Sequence, residues 1–280
     1  MKPATLPNFF IAGAPKSGTT SLYHYLDQHP EIYMSPMKEP TYFASEIRLE
    51  HFSDRLRSRA EPDVRALRIY LDGPMREKRF GGPVTEWSDY LRLFRNAEGR
   101  KAIGEASVCY LWSESAASNI LRGIPDARII LILRNPVEMA FSMYLHTLRS
   151  GAIHCSFRKA IEMGLEQRGG PIDVMHPFLD MGFYHQQVKR YLDAFPEEQI
   201  VIYWYDEYQA DPARTLADIF RFLKVDATFR PDMSKRYLEA GRPDLVLDPA
   251  DKGFLIEFYR DDISKLGALL KRDLSNWCEL

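Results

Sequence analysis

Residues 13–20 read Gly13-Ala14-Pro15-Lys16-Ser17-Gly18-Thr19-Thr20 and directly follow a short apolar run, Phe9-Phe10-Ile11-Ala12. The spacing fits the phosphate-loop template GxxxxGK[ST] in register, save that Thr19 stands in the lysine position. Glycines at these points let backbone N–H groups turn inward around an anion, and a helix beginning at the loop's end adds its partial positive charge. Lys16 sits inside the loop instead, where its ammonium reaches a bridging or terminal oxygen of a bound group. A tight turn after a strand has the same composition, so the loop alone leaves both readings open.

A second cation sharpens the choice. The run Arg128-Ile129-Ile130-Leu131-Ile132-Leu133 has the length and apolarity of a central parallel strand, and it ends in Arg134-Asn135-Pro136. A nucleotide triphosphatase commonly ends such a strand in Asp, which helps to hold magnesium. Arginine removes that metal ligand and supplies a fork matched to phosphate, so no metal is expected. Ser142 lies eight residues on, about two helical turns, and its hydroxyl is placed to join Arg134 on the same group. Taken singly, Arg134 is also readable as a surface cap and Ser142 as a helix-face hydroxyl. Together they describe a clamp for a second phosphate, separate from the one at the loop.

Two anion sites on one ligand fit 3′-phosphoadenosine 5′-phosphosulfate (PAPS). Pro15-Lys16-Ser17-Gly18-Thr19-Thr20 resembles the 5′-phosphosulfate loop of the sulfotransferases, and Arg134-Asn135-Pro136 through Ser142-Met143-Tyr144 resembles their 3′-phosphate motif. The carbohydrate branch, with the heparan sulfate enzymes and bacterial relatives, is the nearer match. His29-Pro30, Lys38-Glu39-Pro40, Gly104-Glu105-Ala106-Ser107, Tyr205-Asp206-Glu207 and Asp211-Pro212 recur in it in that order. The resemblance implies transfer of a sulfuryl group from PAPS to a hydroxyl or amine of a carbohydrate, lipid or small-molecule acceptor. Two alternatives stand beside it: a P-loop nucleotide kinase and a non-catalytic nucleotide-binding module.

Sulfuryl transfer is an in-line displacement in which charge builds on the leaving oxygen, as in phosphoryl transfer. Lys16 is the candidate to stabilise that charge, with Ser17, Gly18, Thr19, Thr20 and Ser21 holding the 5′ end. By resemblance to the heparan sulfate enzymes, Glu39 in Lys38-Glu39-Pro40-Thr41-Tyr42-Phe43 is the general base; the bland reading is a surface glutamate paired with Lys38. The branch acting on phenols and steroids uses a histidine, and of the seven histidines His146, four residues past Ser142, is the one to weigh. Some 3-O enzymes carry a lysine after the glutamate of the Gly104-Glu105 region, where this chain has Ala106. Glu105 is expected either on the acceptor side or in a structural role. The resemblance also draws the C-terminal loop, Ser234 to Tyr237 and Gly241-Arg242-Pro243, toward the adenine, with Arg242 as a further 3′-phosphate contact.

The elements that must carry these residues alternate. Phe9–Ala12 reads as a buried strand feeding the loop, and Leu22, Tyr25, Leu26 and His29 have helical spacing up to Pro30. Helical patterns follow at 87–94, 137–149, 183–195, 211–223 and 251–270, with strands at 32–34 and 200–205. From Glu46 to Glu86 periodicity fades and charges of both signs crowd in, which reads as an inserted, partly irregular segment on the acceptor side. Arg55, Arg57 and Arg59 there are either acceptor contacts or a solvated face. The expected fold is α/β: three layers of P-loop type, with a central, mainly parallel sheet flanked by helices, in a single domain spanning 1–280.

Composition permits this and excludes other classes. With 45% hydrophobic and 27% charged residues the 280-residue chain is globular rather than disordered. Thirty-seven Lys and Arg against 39 Asp and Glu leave a net charge of −2, so nothing draws the whole protein to nucleic acid and any anion site is local. Cys109, Cys155 and Cys278 form no metal or disulfide pattern. The first apolar run is too short for a secretion signal or a membrane span, so a cytoplasmic location is the expectation.

Overall fold

The computed structural model describes residues 5–175, 177–235, 237 and 245–280. β1 (Phe9–Gly13) leads into α1 (Thr19–Asp27), followed by β2 (Ile32–Met34) and β3 (Met37–Lys38). The long helix α2 (Asp54–Asp72), β4 (Arg79–Phe80) and α3 (Trp87–Arg92) precede β5 (Ala102–Ala106). Next come α4 (Cys109–Trp112), α5 (Ala116–Gly123), β6 (Arg128–Leu133) and α6 (Pro136–Arg149). The remaining named elements are α7 (Phe157–Glu166), α8 (Tyr184–Ala194), β7 (Ile200–Trp204), α9 (Tyr205–Ala210), α10 (Pro212–Phe222) and α11 (Pro249–Leu270).

Five strands form one parallel sheet in the order β2-β5-β1-β6-β7. Strict alternation along β1 sends Phe9 and Ile11 into one apolar cluster and Phe10 and Ala12 into another. β6 divides likewise, Ile130 and Ile132 against Ile129, Leu131 and Leu133. Both faces of the sheet are therefore covered, one by α1 and α10, the other by helices that include α6, α8 and α11, which gives the three-layer α/β fold. Gly104 in β5 is required by this packing: a Cβ there would lie 2.3 Å from Cζ of Phe9, its neighbour in register.

The chain leaves β1 toward β2 and β5 on one side, and leaves β6 toward β7 on the other. The carboxyl ends of β1 and β6 thus flank the point where strand order reverses, the place where open parallel sheets bind ligands. The glycine loop and Arg134 both start there. Asn135 caps α6 by accepting the Val137 N–H at 3.0 Å, and Pro136 occupies its first turn.

Segment 46–86, read from sequence as partly irregular, contains a long helix that its pattern did not announce. It is dominated by α2, capped by Ser53, whose Oγ accepts the Leu56 N–H at 3.1 Å. The helix is hard to read because it buries so little, Leu67 and Leu71 chiefly, and because Pro62 lies inside it. Arg55 and Arg57 donate to main-chain carbonyls of Ala152, Leu49 and Phe52, which ties the segment down. β4 pairs in parallel with β3, which brings the end of the segment back beside Lys38.

Candidate active site

A cavity of about 1130 Å³ opens at the carboxyl ends of β1 and β6. Lys16, Gly18, Thr19, Thr20 and Ser21 line it from the loop and α1, Glu39 from the stretch after β3, and Arg134 and Ser142 from β6–α6. A second cavity of about 850 Å³, between residues 45–57, Trp112 and 170–172, shares none of these residues.

Lys16 (φ 58°) and Gly18 (φ 77°) both adopt left-handed backbone on either side of Ser17. Gly18 is also the N-cap of α1 and offers no side chain to cap the first-turn N–H groups. Only glycine fits here, since a Cβ would lie 2.8 Å from Tyr208 Cε1. Ser17 is fully buried and its hydroxyl donates to Pro15 O at 3.3 Å, so its side chain faces away from the cavity. Ser21 lines the cavity but its Oγ also accepts the Tyr237 N–H at 3.3 Å, which ties α1 to the C-terminal loop. Tyr237 stacks on His24 with ring centroids 4.0 Å apart. Arg242 lies outside the described residues.

The cavity is cationic although the protein is not. Burial first, then Arg149, Arg134 and Lys38, push the Lys16 ammonium down to about 8. Two of these cations have acidic partners, Arg134 in Glu138 and Lys38 in Glu39, yet their charge still disfavours the ammonium of Lys16. Arg134 Nη1 donates to the Lys16 carbonyl at 2.9 Å, its Nη2 meets Glu138 Oε2 at 3.3 Å, and the guanidinium lies 4.4 Å from the Tyr205 ring centroid. Ser142 is buried one face along α6, on the same cavity. The glycine loop and Arg134, 118 residues apart in sequence, are in direct contact.

Glu39 (φ 66°) is held at both oxygens: Lys38 Nζ donates to Oε1 at 2.6 Å and the Val108 N–H to Oε2 at 2.8 Å. The pair with Lys38 is present, yet the Lys38 side chain is only 4% exposed, so this is no surface ion pair. His146 lines the cavity with Nδ1 buried and unpartnered among the described residues. Burial first, then Lys16 and Arg149, lower its pKa from the ordinary value, which favours a neutral ring. Glu105, by contrast, is fully buried and is no part of the cavity wall.

Three features were not picked out from sequence: Lys38 as a buried cation, Glu138 as the partner of Arg134, and Tyr205 and Tyr208 as walls of the loop. Glu138 was legible, being four residues from Arg134 on one helix. The others depend on tertiary placement. Among the described residues no helix is long and apolar enough to cross a membrane, and no group of three or more His, Cys, Asp or Glu is arranged to hold a metal. The three cysteines are free.

Sheet order and glycine loop define an α/β protein of the P-loop type, with several cations at the mouth of its cavity. The model of the sulfotransferase family matches residues 7–229, and the chain belongs to that family: it is a sulfotransferase enzyme. It is similar to the crystal structure of a sulfotransferase from Alicyclobacillus acidocaldarius, with 35% identity, a TM-score of 0.80, and coverage of 98% of this chain and 100% of that one. Among curated proteins it is 25% identical to the bifunctional heparan sulfate N-deacetylase/N-sulfotransferase 2 of Bos taurus, over 97% of this chain but 30% of that protein. It is also 25% identical to carbohydrate sulfotransferase 15 of Homo sapiens, over 97% of this chain and 54% of that protein. The chain thus spans about a third of the length of the heparan sulfate enzymes it matches.

Proposed function

We propose that this sulfotransferase takes its sulfuryl group from PAPS and passes it to a hydroxyl or amine of a carbohydrate, lipid or small molecule, with Lys16 and Glu39 as catalytic residues. The observation that carries the donor assignment is the contact of Arg134 with the Lys16 carbonyl, which joins a 5′ anion loop and a second phosphate clamp at one cavity. The residues fit the ligand: an uncapped helix start and Lys16 for the phosphosulfate, Arg134 and Ser142 for a 3′ phosphate. The donor supplies an activated sulfuryl group.

In this reading the acceptor oxygen or nitrogen attacks sulfur, and the bond from sulfur to the bridging oxygen breaks. Lys16 and the loop N–H groups stabilise charge on that oxygen, and adenosine 3′,5′-bisphosphate leaves. Glu39 takes the acceptor's proton. Its Lys38 partner holds the carboxylate at the cavity and occupies one of its oxygens, so the acceptor must displace or share the Lys38 contact. Phe80, at the end of segment 46–86, lines the cavity, which supports an acceptor role for that segment. The carbohydrate acceptor class draws its support from the relatives, which include heparan sulfate and carbohydrate sulfotransferases.

The test combines donor selectivity with turnover. Adenosine 3′,5′-bisphosphate should raise the melting temperature without added metal, and ATP should do so far less. Labelled sulfate should pass from PAPS to an acceptor, and Glu39→Gln should lose about 10²–10⁴-fold in turnover while still binding the bisphosphate. A preference for ATP would overturn the donor assignment, and an active Glu39→Gln the base assignment.

A further inference from the structure

Glu105, near the carboxyl end of β5, has no access to solvent, and three hydroxyls converge on it. Tyr110 Oη and Tyr90 Oη donate to its Oε1 at 2.7 and 3.2 Å, and Ser107 Oγ donates to Oε2 at 2.8 Å. Two of these hydroxyls are used twice. Ser107 Oγ accepts the Thr41 N–H at 3.1 Å, and Tyr110 Oη accepts the Phe43 N–H at 3.3 Å. The stretch they grip follows immediately after Glu39, and both Glu39 (φ 66°) and Thr41 (φ 56°) lie in left-handed backbone that side-chain-bearing residues avoid. Such a bend persists only when its surroundings hold it.

A hydroxyl has one proton and two lone pairs. With its proton fixed on a carboxylate, it can only accept from its other neighbours. An ionised Glu105 therefore sets both hydroxyls as acceptors facing the bend, whereas a neutral acid would offer its own proton to one of them and release that orientation. We propose that Glu105 is a positioning residue: its carboxylate, acting through Ser107 and Tyr110, locks the 39–43 bend that presents Glu39 to the cavity. This rests on the reading of Glu39 as the proton acceptor and extends it to the shell behind that group.

The electrostatic setting makes the lock sensitive to pH. Burial raises Glu105 to about 7, opposed by its three hydroxyl donors, and the charge of Glu39 adds to the rise. Tyr90 from α3, Cys109 and Tyr110 from α4 and Tyr191 from α8 also face it, each with its own pKa pushed well above the ordinary value by burial and so uncharged near neutrality. As pH falls through about 7 Glu105 takes up a proton and the bend loosens.

Glu105→Gln keeps the shape and removes the charge. Expected are a fall in turnover on the order of 10²-fold, the loss caused by a small misplacement of a catalytic group, with affinity for adenosine 3′,5′-bisphosphate within about twofold of wild type. Hydrogen exchange at the Thr41 and Phe43 amides should quicken about tenfold or more while β6 amides keep their protection. The wild-type turnover should drop on the acid side near pH 7, and Glu105→Gln should lack that step. If Glu105→Gln does not fold, Ser107→Ala and Tyr110→Phe test the two relays separately, each freeing its own amide. Unchanged exchange at 39–43 in a folded variant overturns the proposal even if Glu39→Gln is inactive. Quickened exchange together with an active Glu39→Gln supports the lock and instead sinks the base assignment.

Discussion

Replacing Arg134 by alanine is the perturbation whose size the geometry constrains best. In the free protein Nη1 is committed to the Lys16 carbonyl, while Nε and Nη2 share Glu138 Oε2 at 3.3 Å. The Glu138 side chain is 50% exposed, so that pair contributes only about 0–1 kcal/mol. A 3′ phosphate arriving at the same edge replaces it with charge-assisted bonds worth about 1.5–3 kcal/mol. The difference, about 2 kcal/mol, corresponds to roughly 30-fold weaker binding of adenosine 3′,5′-bisphosphate in Arg134→Ala. Adenosine 5′-phosphate lacks the group and should weaken less than about threefold. Calorimetric titration of both nucleotides measures the contrast, and Glu138→Gln, which removes the competitor, should tighten the bisphosphate a few-fold. Equal weakening of the two nucleotides by Arg134→Ala would refute the clamp.

Further outcomes follow from the same geometry. Lys16→Ala should lower turnover about 10²–10³-fold, the usual loss for a donor to a developing negative charge; single-turnover sulfate transfer checks it. Because an anionic donor favours charged Lys16, its pKa rises above about 8 on binding, so bisphosphate affinity should be full below pH 8 and decline above it. Titrations between pH 7 and 9.5 would show this, and a flat profile would contradict it. Gly104→Ala forces a methyl into the Phe9 ring and should cost about 1–3 kcal/mol or more in denaturant unfolding. Transfer from PAPS should survive EDTA, since Arg134 stands where a metal-binding Asp would be expected.

The parts of the fold that were legible in the sequence are those whose patterns are local. An apolar run, a glycine loop and a helix stopped by Pro30 announce β1, the loop and α1, and the Arg134-Asn135-Pro136 terminus of β6 carries its own helix start. β5 was not legible as a strand, because Gly104 and Glu105 break its apolar run. Glycine is there to admit the Phe9 ring, and the carboxylate is tolerated because Tyr90, Tyr110 and Ser107 reach it from other elements. α2 escaped for the opposite reason: its exposed, charged surface hides a helical period of two or three apolar contacts. At the site, Lys16, Glu39, Arg134 and Ser142 line one cavity, whereas Ser17 turns its hydroxyl inward. Nothing in a one-dimensional pattern tells which way a loop serine points.

The most direct test is a crystal structure with adenosine 3′,5′-bisphosphate. The account predicts the 5′ phosphate on the N–H groups that open α1, close to Lys16, and the 3′ phosphate within hydrogen-bonding distance of Arg134 and Ser142, with Arg134 turned off Glu138. A nucleotide bound with its 3′ phosphate away from Arg134, or in the separate cavity beside Trp112, would contradict it.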